Sequence, residues 1–517
     1  MRKASLKILL LLCIVAFFVG CTKKEAAGVQ TQDRDLIIAT AQEPTHFVSL
    51  TATTSSDFDQ MVIFAVQDTL LKKDWEHGGE VIPYLAESYE VSPDGKQIKI
   101  KIRDNVYFHD GTKLTAEDFR WTYDETLRFP IAPVLWINYD HTEVVDDLNF
   151  IIHLSNPYAP FLNILCSRVG PVMSKAYWEK VGDEGYAQKP IGTGPYKFVE
   201  VLSGNQIVLE RNDNYWGEKP EFKRVIIKTT PDVNTQIMAI ETGDADVAVG
   251  VPIDNLLSIN NPDVVWDSTA ANTTAMLWFN MMDDRPLIQD INFRKAVQYA
   301  INKDAINQGI YGGNATMIDI YGDIKFSGRP PAGTYSTYEY NQTKAKEYLA
   351  KSSYKPGQEF RVITWAGNVT EKIAQIIQGN LQEVGINMRL VATDTATFYD
   401  TLRNTGNWDA QYWTTGSSIM DMDSLGNSFL YSRYEPKFKD HIKYPQGERL
   451  DYLCRTGRVE PDPAKRIEIY REAVSIVNDE AYQIYTHVDV NTVLYRKGLK
   501  GIKADMVKFY RYQEWSY

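Results

Sequence analysis

The stretch Ile98-Lys-Ile-Lys-Ile-Arg103, followed by Val106-Tyr-Phe-His-Asp-Gly-Thr112 and Leu114-Thr-Ala-Glu-Asp-Phe119, is the most informative part of this chain. The first block alternates apolar and basic residues, which is the period of a half-exposed β-strand. The Asp-Gly pair of the second block has the chemistry of a tight turn. In the third block, Thr115 can cap the free amides of a helix, and two acidic residues follow it at the positive end of that helix. The stretch therefore predicts a strand, a turn and a capped helix.

Outside this stretch, apolar runs with the period of a strand keep alternating with runs that have the period of a helix. Such alternation favours an α/β fold with largely parallel sheets. The strands that we predict are 225–229, 245–249, 276–280, 360–364, 387–391 and 409–413, and the helices are 234–242, 253–259, 293–302, 370–384 and 397–403.

The N-terminus is typical of an export signal. Three basic residues precede an apolar run at residues 8–19, which is shorter than the roughly 20 residues of a membrane span but suits a signal sequence. The run ends before Cys21, in a context that resembles the lipobox of bacterial lipoproteins. We therefore predict a signal peptide at 1–20 and a tether at 21–32 that is lipidated on Cys21, so that the protein is extracytoplasmic and held on the membrane by acyl chains. Ordinary signal cleavage, with the cysteine a bystander, is the alternative.

Length and charge limit the classes of protein that fit. Removal of the first 20 of the 517 residues would leave 497, and the formal net charge would change from −12 to −15 because three basic side chains are lost. A chain of this length is expected to form two or more domains. Its acidic balance argues against nucleic acid as a partner, since nucleic-acid binding needs clustered Lys and Arg.

Cysteine and histidine spacing gives no sign of a metal site or cofactor. The chain has four Cys and seven His, without a CxxC or HxxxH pattern, so a structural zinc site is not expected. Beyond Cys21, only Cys166 and Cys454 remain. They form either one disulfide, which an oxidising compartment would permit, or two buried thiols.

Two motifs invite an enzymatic interpretation that the residues do not support. Gly192-Thr-Gly-Pro-Tyr196 is glycine-rich, but Pro195 removes an amide that a phosphate loop needs, and a strand pattern rather than a helix follows. We interpret this segment as a strained turn that enters a strand. His109 beside Asp110 is most simply part of a turn, and the sequence has no Gly-x-Ser-x-Gly elbow. We therefore predict a binding protein and not an enzyme.

The opening stretch closely resembles the signature of the family 5 extracellular solute-binding proteins, the receptors of oligopeptide, dipeptide, nickel and some oligosaccharide ABC importers. The resemblance continues over nearly all of the chain after the signal segment. The further matching blocks are 190–198, 210–217, 293–303, 382–387 and 408–413.

The resemblance implies an α/β clamshell of two lobes, the periplasmic-binding-protein architecture, with an extra subdomain inserted in lobe one. Carried over to this chain, lobe one comprises 33–73, 192–272 and 490–517, the inserted subdomain 74–191, and lobe two 273–489. A small-molecule ligand is expected in the cleft between the lobes, which close on it by hinge motion. The closed form, as a monomer, would dock on the permease subunits of the importer.

In peptide-binding relatives, a carboxylate that pairs with the α-ammonium of the peptide lies a few residues after the strand equivalent to 409–413. Here Gly416 and Ser417 stand near that place, and the next acids are Asp421 and Asp423. Either one of these acids supplies the partner from a reshaped loop, or the ligand has no free amine there.

Other candidate ligand-binding residues follow predicted strands or begin a helix. Asp59 is a second candidate anion, although a charge at a helix start is the simpler interpretation. Indole rings at strand ends could form platforms for a side chain or a sugar ring, or belong to the core. The full set of these candidates is Asp59, Asn280, Trp365, Trp413, Thr414 and Thr415.

The leading hypothesis from the sequence is a lipoprotein that captures peptides for uptake. An oligosaccharide receptor of the same fold is the first alternative, supported by the abundance of Trp and by the missing acid. A nickel or metal-chelate receptor comes next, and a hydrolase would need a catalytic constellation that the sequence does not display.

Overall fold

The computed structural model of the chain describes residues 34–48, 57–129, 136–202, 204–281, 285–402, 406–417, 419–429 and 444–517. The predicted signal peptide and Cys21, with the tether, lie outside the described residues. Within those residues, no helix combines the length and the apolar character that crossing a membrane requires.

The strands form one large sheet and two small ones. In the large sheet the order is β15-β14-β16-β12-β17-β11-β1-β10-β9-β8, with β13 beside β17; β2 pairs with β3, and the third sheet has the order β4-β5-β7-β6. The strands are β1 (Asp35–Thr40), β2 (Leu71–Asp74), β3 (Glu80–Pro83), β4 (Ala86–Val91), β5 (Gln97–Ile102), β6 (Tyr139–Val144), β7 (Asn149–Leu154), β8 (Tyr196–Leu202), β9 (Gln206–Arg211), β10 (Arg224–Thr229), β11 (Val247–Val249), β12 (Val264–Phe279), β13 (Thr316–Met317), β14 (Glu359–Trp365), β15 (Asn387–Thr393), β16 (Ala410–Gly416) and β17 (Gln483–Arg496).

Helices cover the faces of these sheets. They are α1 (Asp57–Val66), α2 (Ala116–Thr126), α3 (Phe161–Ile164), α4 (Lys175–Gln188), α5 (Val233–Thr242), α6 (Ile253–Leu256), α7 (Pro286–Gln289), α8 (Ile291–Ala300), α9 (Lys303–Tyr311), α10 (Gln342–Lys351), α11 (Val369–Glu383), α12 (Thr395–Asp400), α13 (Asp423–Phe429), α14 (Gly447–Val459) and α15 (Pro463–Asp479).

The predicted α/β class is confirmed, but the expectation of largely parallel sheets is wrong. Strand β1 runs parallel to β10 and β11, and β14 runs parallel to β15 and β16. The centre of the sheet is instead an antiparallel pair of long strands, β12 and β17, and hairpin-like neighbours continue the antiparallel pattern at β8, β9 and β10. The sequence period of a buried strand is the same for both directions, so it could not reveal this.

The β12–β17 ladder is interrupted twice, with the wider interruption near its middle and a smaller shift between Ala275 and Met276. Ala270 pairs with Val490 and Thr274 pairs with Val488, so residues 271–273 face the single residue Asp489. Extra residues in one strand of an antiparallel pair bend it and increase its local twist. The two long strands therefore bend together at this bulge.

Buried side chains form three main cores. The large core extends from Ile253 to Val507 and surrounds β14, β16 and the part of the β12–β17 pair on one side of the bulge. The small-sheet core comprises buried residues from Val48 to Ile191, around β4 to β7, and also Ile419. The N-terminal core packs α1 against β1, β8, β9 and β10.

The opening stretch folds as predicted. Strand β5 buries its three isoleucines and exposes the lysines between them. Helix α2 begins after Thr115, which is its N-cap residue. Asp118 accepts a hydrogen bond from the Thr115 backbone N–H at 3.0 Å, so this helix start is held by a reciprocal cap of the kind that the sequence indicated.

The predicted turn at Gly192 is also confirmed, and close packing explains its glycines. A Cβ on Gly192 would lie 2.2 Å from the carbonyl oxygen of Val66, and a Cβ on Gly194 would lie 2.6 Å from that of Ala65. The turn is thus pressed against the end of α1, and β8 begins at Tyr196.

His109 clamps this turn. The Gly192 N–H lies 3.3 Å from its Nδ1, so Nε2 carries the ring proton and donates to the Gly194 carbonyl at 3.0 Å. Burial lowers the pKa of His109 to about 4, which keeps the ring neutral at physiological pH. The predicted turn role of this histidine is therefore observed.

Asp68 lies in the same region, where the small-sheet core meets the N-terminal core. Its carboxylate accepts hydrogen bonds from Trp216 Nε1 at 2.9 Å, from the Thr193 hydroxyl at 3.0 Å and from the Tyr215 hydroxyl at 3.4 Å. Among the described residues no cation forms an ion pair with it. Burial raises the pKa of Asp68 to about 6, against the lowering effect of these donors.

Candidate ligand site

Strand β16 has one edge that is only partly covered. Along β12 it is paired as far as Gly416. On its other side β14 pairs only with Ala410 and Gln411, and the Thr364 hydroxyl donates to the Tyr412 carbonyl at 2.9 Å. Beyond Tyr412, no strand of the described residues adjoins this side of β16. We use the term open edge for the β14-facing side of residues 413–416.

The register decides which backbone groups point to the open edge. A strand residue directs its N–H and C=O to the same side, and successive residues alternate between the two sides. Because the Tyr412 carbonyl points toward β14, Thr414 and Gly416 direct their N–H and C=O groups the same way. No strand of the described residues pairs with these groups, so within that part of the chain they are open to an added extended chain.

Aromatic side chains stand beside the open edge. The ring centroid of Trp413 lies 6.2 Å from that of Trp365, 6.4 Å from that of Phe398 and 6.1 Å from that of Trp278. Trp365 and Trp413 are half-buried, and their indole nitrogens have no hydrogen-bond partner among the described residues. The structure therefore brings the two predicted platform residues together in one aromatic cluster.

The open edge ends, at Gly416, next to the bulge in β12. Gly416 pairs with Thr273, whose hydroxyl donates to Asp489 at 3.0 Å. The next residue, Ser417, donates its N–H to the Asn272 carbonyl at 3.1 Å. Predicted site residues Thr414 and Thr415 are thus half-buried and lie close to the place where the long strands bend.

Asp59 lies in the first turn of α1, away from solvent. Its Oδ1 accepts the backbone N–H of Thr45 at 2.7 Å and that of His46 at 3.2 Å. The carboxylate therefore fixes the loop that follows β1. A direct ligand contact by Asp59 stays a prediction.

Asn280 follows β12 and ties two segments together. Its Nδ2 donates to the carbonyls of Gly406 and Trp408, at 3.3 and 2.8 Å. Its own N–H donates to the Asp409 carbonyl at 2.8 Å. These bonds hold the segment that leads into β16. Contact of Asn280 with a ligand stays a prediction.

Asp421 and Asp423 are buried, each with 1% of its surface exposed, and each forms an ion pair with an arginine. Arg466 donates to both carboxylate oxygens of Asp421, and Arg458 Nε donates to Asp423 at 2.8 Å. Burial raises the pKa of Asp423, and the Arg458 charge opposes that rise. Both carboxylates are occupied by protein cations, an arrangement that favours a structural role over the ammonium role that we predicted for them.

The arginine partners were missed because they lie 35 and 45 residues away in sequence. No local spacing connects residues so far apart. The open edge was missed for a related reason. Strand β14 stops pairing with β16 after Gln411 because the two strands diverge in space, and local sequence does not show where this happens.

Among the described residues, no group of three or more His, Cys, Asp or Glu side chains is placed to hold a metal ion. Cys166 and Cys454 are buried thiols that form no disulfide, so the second of the two alternatives for these residues holds in this structure.

Comparison with known proteins identifies the family. Residues 80–436 match the bacterial extracellular solute-binding proteins, family 5 Middle. This match covers more than half of the chain, and it agrees with the resemblance of the opening stretch.

Individual relatives extend the likeness to both ends. The oligopeptide-binding protein AppA of Bacillus subtilis (strain 168) is 25% identical, over 99% of this chain and 99% of the relative. The nickel-binding periplasmic protein of Escherichia coli (strain K12) is 27% identical, over 80% of this chain and 82% of the relative.

A solved structure with a similar fold is that of the ABC transporter substrate-binding protein CtaP from Listeria monocytogenes. It superposes with a TM-score of 0.82 at 23% identity, and the match covers 94% of this chain and 99% of the other. The clamshell fold class is thereby confirmed. Because the family match is to binding receptors of ABC importers, the prediction of a binding protein rather than an enzyme is confirmed as well. The chain belongs to the family 5 bacterial extracellular solute-binding proteins.

Proposed function

We propose that this protein captures peptides outside the membrane, delivers them to the permease of an ABC importer, and is held on the membrane by acylation of Cys21. The open edge carries the proposal. An extended peptide adds to an exposed strand through main-chain hydrogen bonds, which give affinity that does not depend on its sequence.

The proposed lobes meet at the bulge of β12 and β17. Lobe one comprises 33–73, 192–272 and 490–517, lobe two 273–489, and the inserted subdomain 74–191. The interruption at residues 271–273 opposite Asp489 supports a hinge there, because a bulged pair bends more easily than a regular ladder. Closing about this hinge would cover a peptide lying on the open edge.

The groups at the site favour recognition of a peptide through hydrogen bonds to its main chain. Thr414 and Gly416 offer N–H and C=O groups to the open edge, while Trp365 and Trp413 offer apolar walls for side chains. The buried acids after β16 already have arginine partners. We therefore propose that the α-ammonium of the peptide is not the main anchor at this edge.

A two-step experiment tests the proposal. The first step is a thermal-shift screen with a pool of tri- to hexapeptides, a pool of oligosaccharides, and Ni²⁺ with and without histidine, since a ligand that binds only the folded state raises the melting temperature. Stabilisation by peptides is expected. The indole rings at the open edge make oligosaccharides the main competing class. Stabilisation by sugars alone, or by Ni²⁺ alone, would end the peptide assignment.

The second step uses backbone-methylated forms of a peptide that binds. Methylation removes a hydrogen-bond donor without changing the side chains. If the peptide adds to the open edge, methylation at alternate residues weakens binding at least tenfold, whereas methylation at the intervening residues has little effect. Equal effects at every position would contradict strand addition.

The membrane anchor has its own test. Metabolic labelling of cells with a palmitate analogue should label the protein, and Cys21→Ser should abolish the label. Labelling of the serine variant would contradict lipidation at this residue.

A further inference from the structure

The turn that carries Asp421 and Asp423 is the place where proposed lobe two touches the inserted subdomain. The subdomain contributes residues 158–163, which lead into and form helix α3. One main-chain contact crosses this junction, from the Ala159 N–H to the Arg458 carbonyl at 3.0 Å. Ile419 crosses it in the opposite direction, since its side chain belongs to the small-sheet core.

Asp421 accepts hydrogen bonds from proposed lobe two and one further hydrogen bond from the subdomain. Asp421 accepts from Arg466 through both oxygens, and its Oδ1 also accepts the Asp423 N–H at 2.7 Å. Its Oδ2 accepts one more hydrogen bond, from Asn163 Nδ2 of the subdomain, at 3.0 Å. The carboxylate, the guanidinium and the amide are all buried.

The second acid repeats this arrangement. Arg458 Nε donates to Asp423 Oδ1, and the Tyr158 hydroxyl of the subdomain donates to Oδ2 at 3.1 Å. Each carboxylate therefore has one cation from its own lobe and one neutral donor from the subdomain.

A third polar contact lies beside the first acid. Ser327 bridges to Asp421 in a short parallel ladder, and Lys73 of strand β2 lies 3.4 Å from the Ser327 hydroxyl. Lys73 is the last residue of the first segment of proposed lobe one, and burial lowers its pKa while the nearby Asp421 charge opposes that change.

We infer that Tyr158 and Asn163 with Asp421 and Asp423 form a reversible latch that holds lobe two against the inserted subdomain in the closed protein. The inference rests on the lobe movement of the proposed function. The distribution of charge makes the latch reversible. Both Asp–Arg pairs lie inside lobe two, so opening leaves no carboxylate without its cation. The donors that leave the carboxylates, Tyr158 and Asn163, are neutral, and water can replace them at an exposed surface. Lys73 would lose only its contact with the Ser327 hydroxyl.

The test removes the two donors of the subdomain and keeps both ion pairs. The double variant Tyr158→Phe/Asn163→Ala is compared with the natural protein, without ligand, by hydrogen exchange and small-angle X-ray scattering. The Ala159 amide reports opening directly, because its acceptor lies across the junction. We expect its exchange to become at least tenfold faster, and the radius of gyration to increase.

Tyr139→Phe is the matched control. It removes a hydroxyl that bonds Asp124 and Thr142 within the subdomain, at 3.0 and 2.9 Å, so it should leave Ala159 exchange unchanged. The variant Asn163→Asp sharpens the test, since it places a like charge beside Asp421 and should speed Ala159 exchange more than the double variant does.

Unchanged Ala159 exchange in both latch variants, with circular dichroism showing a folded protein, would overturn the latch. An equal increase in the Tyr139→Phe control would also overturn it, because the effect would then be a general loosening of the subdomain. These measurements need no ligand. Failure of the peptide screen would therefore sink the proposed function alone, whereas peptide binding with unaltered exchange would sink the latch alone.

Discussion

Two junctions of the inserted subdomain bury carboxylates, and they do so in opposite ways. Beside the junction with proposed lobe one, Asp68 accepts bonds from neutral indole and hydroxyl donors of lobe one itself and forms no ion pair within the described structure. At the junction with proposed lobe two, Asp421 and Asp423 are paired with Arg466 and Arg458. A buried charge without a cation is costly, while a paired one retains most of its stabilisation when its neutral donors leave.

If the proposed lobes move, this difference would let the subdomain stay fixed to lobe one while it separates from lobe two. Near Asp68, the chain itself joins proposed lobe one to the subdomain twice, at residues 73–74 and 191–192. The turn at Gly192 packs there so closely that it leaves no room for a side chain. The junction at Asp421 is held by a few donors and one apolar side chain. We therefore expect the subdomain and proposed lobe one to move as one unit, and the second junction to separate when the proposed latch opens.

The largest expected effect concerns the charged junction. Arg466→Met should lower the free energy of unfolding by about 3–5 kcal/mol, because it leaves the buried Asp421 without its cation. Urea unfolding measures the loss. Arg449→Met is the matched control, since Arg449 pairs with Glu472 at the surface and such exposed pairs contribute little to stability. Similar losses in the two variants would show that Asp421 does not depend on Arg466.

The next effect concerns the close packing at the fixed junction. Gly192→Ala should lower the free energy of unfolding by about 3 kcal/mol, since its Cβ would meet backbone at 2.2 Å. Gly379→Ala is the control. That glycine lies in helix α11, where an added Cβ would meet no other atom, so the substitution should stabilise the protein by about 0.5–1 kcal/mol.

Acid titration then separates the two kinds of carboxylate. The pKa of Asp68 is raised to about 6 in the folded protein, so the folded state favours its protonated form. Stability from this group is fully present below pH about 4 and is lost as pH rises through 6, by about 3 kcal/mol. The difference between the unfolding free energies of the natural protein and Asp68→Asn should change by this amount between pH 4 and 7, as measured by urea unfolding. Parallel curves would contradict a raised pKa.

The smallest expected effect tests the neutral donors of Asp68 one at a time. Thr193→Val removes a hydroxyl that donates to the carboxylate at 3.0 Å. The pKa of Asp68 should then rise above 6, and the free energy of unfolding at pH 7 should fall by about 1 kcal/mol. The shift is measured from the same pH-dependent unfolding curves, with Asp68→Asn as the zero line. An unchanged titration would mean that the Thr193 hydroxyl does not contribute to the pKa of Asp68.

Local features of the fold were predictable from the sequence because their causes are local. The alternation in β5, the cap at Thr115 and the turn at Gly192 depend on residues within a few positions of each other, and all three are observed. The family signature is likewise carried by short blocks. The direction of the central strands was predicted wrongly, because a buried strand has the same pattern in parallel and antiparallel sheets.

The candidate site was predictable only in part. Trp365 ends β14 as the sequence indicated, whereas Trp413 lies within β16; the two rings meet beside the open edge, and their contact with a ligand stays a prediction. The environment of Asp421 was not predictable, because Arg466 and Asn163 lie far from it in the sequence. An acid in a loop looks the same in sequence whether a ligand or a distant arginine occupies it.

The α/β class, the family and the class of binding protein followed from the sequence alone, since these depend on periodicity and on contiguous motifs. The folded arrangement was needed to establish that Asp421 and Asp423 are bound by arginines, that Asp68 has no cation partner among the described residues, and that β16 keeps an open edge. Each of these depends on which distant segments approach one another. Long-range approach is set by the packing of whole sheets and helices, and no short stretch of residues records it.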